Sequence, residues 1–421
     1  MLNCPCFQMQ EIETSETSRG RNLRLKLLTL LIGVVFALVL LEIGLRVVGY
    51  SSPEFYETDE TLGYRLIPGM SGWYTREGRS WVEINSDGFR DVGHTVEKPT
   101  DVYRIAVIGD SYVEALQVDR TAMFANWIHL VPEASGDCDA LAGKRIETLS
   151  FGVSGYGTAQ ELLMLHQKVW KYSPDLVLLL VTTNNDVTDN LREFKQSPIP
   201  YFSVKNGELT EDDSFKSDRV FVRRNSTLSR LGTWLMNHLR VAQAYADLHR
   251  LVKYKLNEWS NAKPPQASTG STAASTDVGD ELGIDNQIYR EPADDNWRNA
   301  WDVTERLIGE MDAEVREHDA RFALVIASNG IQVVPNVEQK IAFEKKLGVA
   351  DLSYPNRRIM NYCDSHRIRS LDLVPELSEY AEKNNEYLHG FGADIGNGHW
   401  NEVGHRAAGV IIGKHLCELI K

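Results

Sequence analysis

Tyr103 to Ala115 reads YRIAVIGDSYVEA. The run Tyr103–Ile108 is apolar and β-branched and stops abruptly at Gly109, Asp110 and Ser111, the pattern of a buried strand ending in a tight turn. In open α/β sheets, ligands gather just outside the carboxyl ends of the strands, so a hydroxyl at this turn faces the expected site. Ser111 is therefore the candidate nucleophile. The same residues also suit a plain turn at Gly109 with Ser111 capping the next helix. Gly-Asp-Ser alone does not choose between these readings, because so short a string arises by chance in a chain of 421 residues.

The segments that follow repeat the pattern. A helix is expected over Val113–His129, then a strand at Arg145–Phe151 that runs into GVSGYGTAQ, with Gly152, Gly155 and Gly157 closely spaced. Glycine lets backbone N–H groups approach a ligand, and it also makes ordinary turns. Thr158 can cap a helix running to about Lys171. Leu176–Val181, LVLLLV, is apolar throughout, as a strand buried on both faces should be. It ends in Thr182, Thr183, Asn184, Asn185 and Asp186.

Residues 190–289 break the rhythm. They hold a hairpin candidate at Tyr201–Leu209, an amphipathic helix from Leu228 to about Trp259, and a Ser/Thr/Ala/Gly/Pro-rich stretch at 261–279 that reads as a flexible loop. Such an insertion suits a lid, a packing cap or a surface for a protein partner. The alternation then resumes with a helix near Trp297–His318, a strand at Phe322–Ser328, a helix near Pro355–His366 and a strand at Ile368–Leu373. GFGADIGNGHWNEVGH, Gly390–His405, leads into a C-terminal helix. Strands alternating with helices predict an α/β chain with a mostly parallel sheet covered on both faces.

At the other end, residues 1–26 form a polar tail, read as irregular up to Asn22, with a basic cluster of Arg19, Arg21, Arg24 and Lys26. Residues 27–48 are apolar apart from Glu42 and Arg46, long enough for a transmembrane helix. No small-x-small cleavage site follows, which favours an uncleaved signal anchor over a signal peptide. The basic flank keeps the N-terminus cytoplasmic and puts the rest outside, in the periplasm if the cell is Gram-negative. Residues 50–100, rich in Gly, Pro, Tyr and Trp, read as loops and short hairpins packed on the domain spanning 101–421. There Asn85, Asp87 and Arg90 suit either the site or the turn chemistry of Ser86-Asp87-Gly88, the latter being favoured.

A net charge of −14 excludes nucleic acid as the main partner. Five cysteines are too few and too scattered for a disulfide framework or a zinc cluster. Cys138, Cys363 and Cys417 can include one bridge, but no spacing pairs them.

A serine hydroxyl needs a base to take its proton. Among the 11 histidines, His399 is best placed, in a glycine-bracketed loop just before the last helix. His405 falls on that helix, and a structural role is expected for it. Backbone N–H of Gly152 and the carboxamide of Asn185 would supply oxyanion donors. A metal site built from Asp394, His399 and His405 matches no standard ligand spacing. Neither GxGxxG after Ile108 nor a phosphate-binding GxxxxGK[ST] motif occurs.

GDSY at Gly109–Tyr112, FGVSGYG at Phe151–Gly157, Asn185-Asp186 and GHWNEVGH at Gly398–His405 together resemble the SGNH/GDSL hydrolase superfamily, in its order, over roughly residues 101–421 apart from the insertion. GYRLIPG and NSDGFRD look like segments of its membrane-anchored bacterial members. The resemblance implies a three-layer α/β/α flavodoxin-like fold and ester chemistry without a cofactor. It also implies Ser111 as nucleophile, His399 as base, and Gly152 and Asn185 joining the Ser111 N–H as the oxyanion hole. Three positions depart from the pattern. Ser150 stands where Asn is usual, Thr183 where Gly is usual, and Gly396 where an Asp commonly precedes the histidine by three residues. Either Asp394 orients His399 through a longer loop, which is the reading favoured here, or Asn397 or a backbone carbonyl takes its place and the site is a dyad. The implied function is an esterase or acyltransferase working through an acyl-serine on an acylated glycan, lipid or small ester. The alternative is a silent glycan-binding or surface-assembly protein on the same fold.

Overall fold

The structure, a computed structural model, describes residues 11–135, 138–141, 143–261 and 285–421. Most of the Ser/Thr/Ala/Gly/Pro-rich stretch at 261–279, together with Cys4 and Cys6, lies outside these residues. The described residues fall into two compact units, one comprising those up to Glu54 with Leu231–Asn261, the other Phe55–Arg230 with those from 285 on.

In the smaller unit, Glu11–Val47 form one helix (α1), so the described part of the N-terminal tail is helical rather than irregular. Its span Asn22–Val47 has a mean hydropathy of 2.7 and is long and apolar enough to cross a membrane.

The larger unit begins with two short hairpins, Tyr56–Asp59 (β1) with Gly63–Leu66 (β2), and Ser71–Tyr74 (β3) with Ser80–Glu83 (β4). Val102–Gly109 (β5) leads into a single helical turn, Ser111–Glu114 (α2). The longer helix expected over Val113–His129 is broken. Ala115 turns left-handed, and the buried Arg90 guanidinium takes the carbonyls of Glu114, Ala115 and Val118, which a continuing helix would need for itself. Leu130–Ser135 (α3) follows, then Arg145–Gly152 (β6), Thr158–Met164 (α4) and Leu176–Val181 (β7). Next come Asn185–Thr188 (α5) and an Asn206-Gly207 hairpin of Tyr201–Lys205 (β8) and Glu208–Asp212 (β9). The insertion continues with Arg219–Arg224 (α6) and passes into the smaller unit through Thr227–His238 (α7) and Arg240–Asn261 (α8), so the expected amphipathic helix is interrupted at Leu239. The chain closes with Asp295–Glu317 (α9), Arg321–Ile326 (β10), Val337–Leu347 (α10), Tyr354–His366 (α11), Arg369–Asp372 (β11), Val374–Asn384 (α12) and Glu402–Leu419 (α13).

Five strands pair in parallel in the order β11-β10-β7-β5-β6. This is the flavodoxin-like doubly wound order. Alternate residues of LVLLLV supply two separate cores. Val177, Leu179 and Val181 pack with α4 and α9, whereas Leu176, Leu178 and Leu180 pack with α12 and α13. Each such side chain contributes roughly 1.5–3 kcal/mol of burial, which is why an uninterrupted apolar run sits in the middle of the sheet. The winding direction reverses at β5, so the crevice of the fold opens at the carboxyl end of the strand that Ser111 follows.

Cys138 and Cys417 form a disulfide across 279 residues, tying the segment after α3 to α13; Cys363 is buried and free. Cys417→Ser is expected to lower the unfolding free energy by about 2–5 kcal/mol. Denaturant midpoints of the full chain in detergent check this, and an unchanged midpoint would show that α13 is held without the bridge.

Candidate active site

Asp110 caps α2, accepting the Tyr112 N–H at 3.0 Å, and so presents Ser111 as the first helical residue. Its Oγ lies 2.7 Å from His399 Nε2. On the other side of the ring, Nδ1 is 2.5 Å from Glu77 Oε2, and the His399 backbone N–H donates to Glu77 Oε1 at 2.8 Å. A carboxylate can only accept, so Nδ1 carries the proton and Nε2 is left to accept from the serine. Serine, histidine and glutamate thus form one relay.

Glu77, in the turn between β3 and β4, replaces Asp394 as the partner of His399. Asp394 sits in an exposed turn, where its backbone N–H donates to the Phe391 carbonyl at 3.1 Å and its carbonyl accepts from the Asn397 N–H at 3.0 Å. Asn397 does not take that place either, because Nδ1 is occupied by Glu77. The glycine at 398 is required by this arrangement. Its φ is +80°, and a Cβ there would overlap Glu77 Oε1. Nothing in the sequence ties residue 77 to residue 399, and an acid in a short Arg-Glu-Gly turn reads as solvated surface.

The loop bearing His399 rests on a buried chain of hydrogen bonds. Trp400 Nε1 donates to Ser328 Oγ at 2.9 Å, Ser328 is 2.8 Å from His389 Nε2, and His389 Nδ1 is 2.7 Å from the Gly398 carbonyl. The Gly398 carbonyl can only accept, so His389 Nδ1 carries a proton, and in the neutral ring Nε2 accepts from the Ser328 hydroxyl. Burial favours that form and pushes its pKa down to about 4. His405 is buried on α13 beneath this loop, stacked on Phe124 and likewise pushed down, to about 3, so its role is structural. Among the described residues no group of three His, Cys, Asp or Glu side chains is placed to hold a metal.

Burial disfavours the charged imidazolium of His399, but the bond to Glu77 and the Glu77 charge outweigh it and raise the pKa above the ordinary value. Glu77 is correspondingly held down despite its own burial, chiefly by His399. Asp110 is raised by burial, and its Oδ2 accepts from Asn185 Nδ2 at 2.7 Å. That uses one of the two amide protons of Asn185. Gly152 pairs with Gly109 at the end of β6, and a Cβ there would overlap the backbone N of Glu114. The helix bearing Ser111 is therefore seated directly on that strand end.

Glu114 was not singled out by the sequence. It is buried on the same helical turn as Ser111, bonded by Tyr56 Oη at 2.9 Å and by Ser154 Oγ, and burial raises it to about 7. Asn85 folds back on the N–H groups of Asp87 and Phe89, and Asp87 pairs with Lys171, so these two residues and Arg90 serve the scaffold.

Neither a protein-family model nor a curated protein matches the sequence. Similar solved structures include an acetyl xylan esterase, 13% identical over 73% of this chain and 96% of that one, with a TM-score of 0.35. Others are a putative lipolytic protein of the G-D-S-L family from Desulfitobacterium hafniense (9% identity, 75% and 99% coverage, TM-score 0.33) and an acetylxylan esterase from Geobacillus stearothermophilus (11%, 76% and 94%, TM-score 0.35). At such values, what the site does rests on its own geometry.

Proposed function

We propose that the protein is a membrane-anchored, extracytoplasmic serine esterase or acyltransferase of the SGNH type, acting on O-acyl carbohydrate or lipid esters through an acyl-Ser111 intermediate. The observation that carries this reading is the Ser111–His399–Glu77 relay. Ser111 Oγ attacks the ester carbonyl as its proton passes to His399 Nε2, and Glu77 holds the imidazolium in place and stabilises its charge. The Ser111 N–H, at a helix start where no intrahelical acceptor exists, and the second amide proton of Asn185 face the developing oxyanion, with the Gly152 N–H as a third donor. His399 then returns the proton to the leaving alkoxide. Water or a sugar hydroxyl, deprotonated by the same imidazole, releases the acyl group and restores the serine.

α1 serves as an uncleaved anchor with the basic flank inside. The Cys138–Cys417 disulfide supports an oxidising compartment for the larger unit. A fluorophosphonate probe tests the proposal directly. Its adduct is expected on Ser111, lost in Ser111→Ala and formed far more slowly in His399→Ala. Labelling at another residue, or equal labelling of all three proteins, would overturn it.

A further inference from the structure

Within the smaller unit, α8 is fixed to the end of the apolar span. The Val241 N–H donates to Glu42 Oε2 at 2.9 Å, and Arg46 donates to the His238 carbonyl at 2.7 Å. Just beyond, Tyr50 Oη donates to Asp247, the Ser52 N–H to Gln243 at 2.9 Å, and Arg250 pairs with Glu54. Residues 240, 243, 247 and 250 share one helical face, so that polar face is turned to the chain leaving α1.

The apolar residues of α7 and α8 are left uncovered. Leu231, Trp234 and Leu235 on α7 are 52%, 54% and 41% exposed, and Tyr245, Leu248 and Val252 on α8 are 69%, 59% and 48% exposed. Their spacing, three and four residues on α7 and three, four and seven on α8, makes a stripe on each helix. A soluble surface rarely carries so continuous an apolar face. The charge here is also opposite to that of the protein. Leu231–Leu256, within the smaller unit, holds four Arg and Lys and one acid, Asp247, in a chain of net charge −14.

We propose that residues 231–256 form an interfacial helix pair lying on an anionic phospholipid bilayer beside the exit of α1, with the apolar stripes in the boundary between headgroups and acyl chains. Three observations select lipid as the occupant. The helices that carry the stripes are bonded to the end of a helix of membrane-spanning length, their net charge is basic, and an exposed Trp and Tyr sit among the aliphatic residues, as they do at the membrane interface. The inference rests on α1 spanning the membrane.

The test uses the full chain reconstituted in phosphatidylglycerol vesicles whose lipids are brominated near the carbonyl end of the acyl chain, compared with Trp234→Phe. The Trp emission that disappears with Trp234→Phe is expected to be strongly quenched by the brominated lipid, and less so when the vesicles are phosphatidylcholine. If the chain floats with the vesicles but the Trp234 emission is unquenched, the interfacial placement is overturned and a protein partner or second copy covers the stripes. Equal quenching in both lipids would remove the anionic requirement. A chain that fails to float at all would instead refute the anchor.

Discussion

Ser111→Ala is expected to remove nearly all turnover of a simple ester such as p-nitrophenyl acetate, a fall in kcat of roughly 10⁵–10⁶ if the relay acts as a unit. The reason is local. Ser111 Oγ is the atom within 2.7 Å of His399 Nε2, and a water in its place would lack the helix start that fixes the hydroxyl. The substitution removes one oxygen from a side chain that makes no part of either core, so the unfolding midpoint is expected to stay where it is. His399→Ala should lose comparable activity, and combining the two should add little, since each alone already disables the same proton transfer. Unchanged turnover in Ser111→Ala would leave the fold standing and defeat the enzyme reading, in favour of a protein that binds its ligand in the same crevice.

What the sequence exposes, and what it hides, follows from the range over which each signal acts. LVLLLV at Leu176–Val181 is legible because burial on both faces writes itself into every residue of the run. That the strands run parallel with helices on both faces is legible in their alternation, whereas their order and the switch at β5 are not, because the same alternation serves more than one doubly wound order. Ser111 and His399 stand in short strings whose turns can be read locally. The interruption after α2 is not local. Arg90, more than twenty residues upstream, consumes the carbonyls that a helix over Val113–His129 would need. The Cys138–Cys417 pairing joins the two ends of the domain, and a separation of 279 positions leaves no periodic trace. Glu77 is hidden for the same reason, because the demand for an acid comes from a loop 322 residues away. The clue lay at Gly398, whose missing side chain makes room for a carboxylate that local sequence does not name.

Glu77→Gln is expected to lower kcat by roughly 10³–10⁴, whereas Asp394→Asn leaves it unchanged. The amide keeps the shape of the side chain but presents an N–H₂ as readily as an oxygen to His399 Nδ1, which favours the wrong tautomer, and it removes the charge that stabilises the imidazolium. The pH profile separates this effect from simple misfolding. His399 acts as a base only when neutral, so activity rises with pH through its pKa. In the wild type, burial is outweighed by Glu77, so that limb lies above the ordinary histidine value. Without the glutamate charge, burial prevails and the imidazole loses its proton more easily. The limb should therefore move to lower pH even as the plateau falls, a combination that a loosened or partly unfolded protein would not produce. If the profile of Glu77→Gln keeps its midpoint and that of Asp394→Asn moves, the acid that orients His399 in the working enzyme is the one on the exposed turn, and the β3–β4 hairpin is only a neighbour of the site.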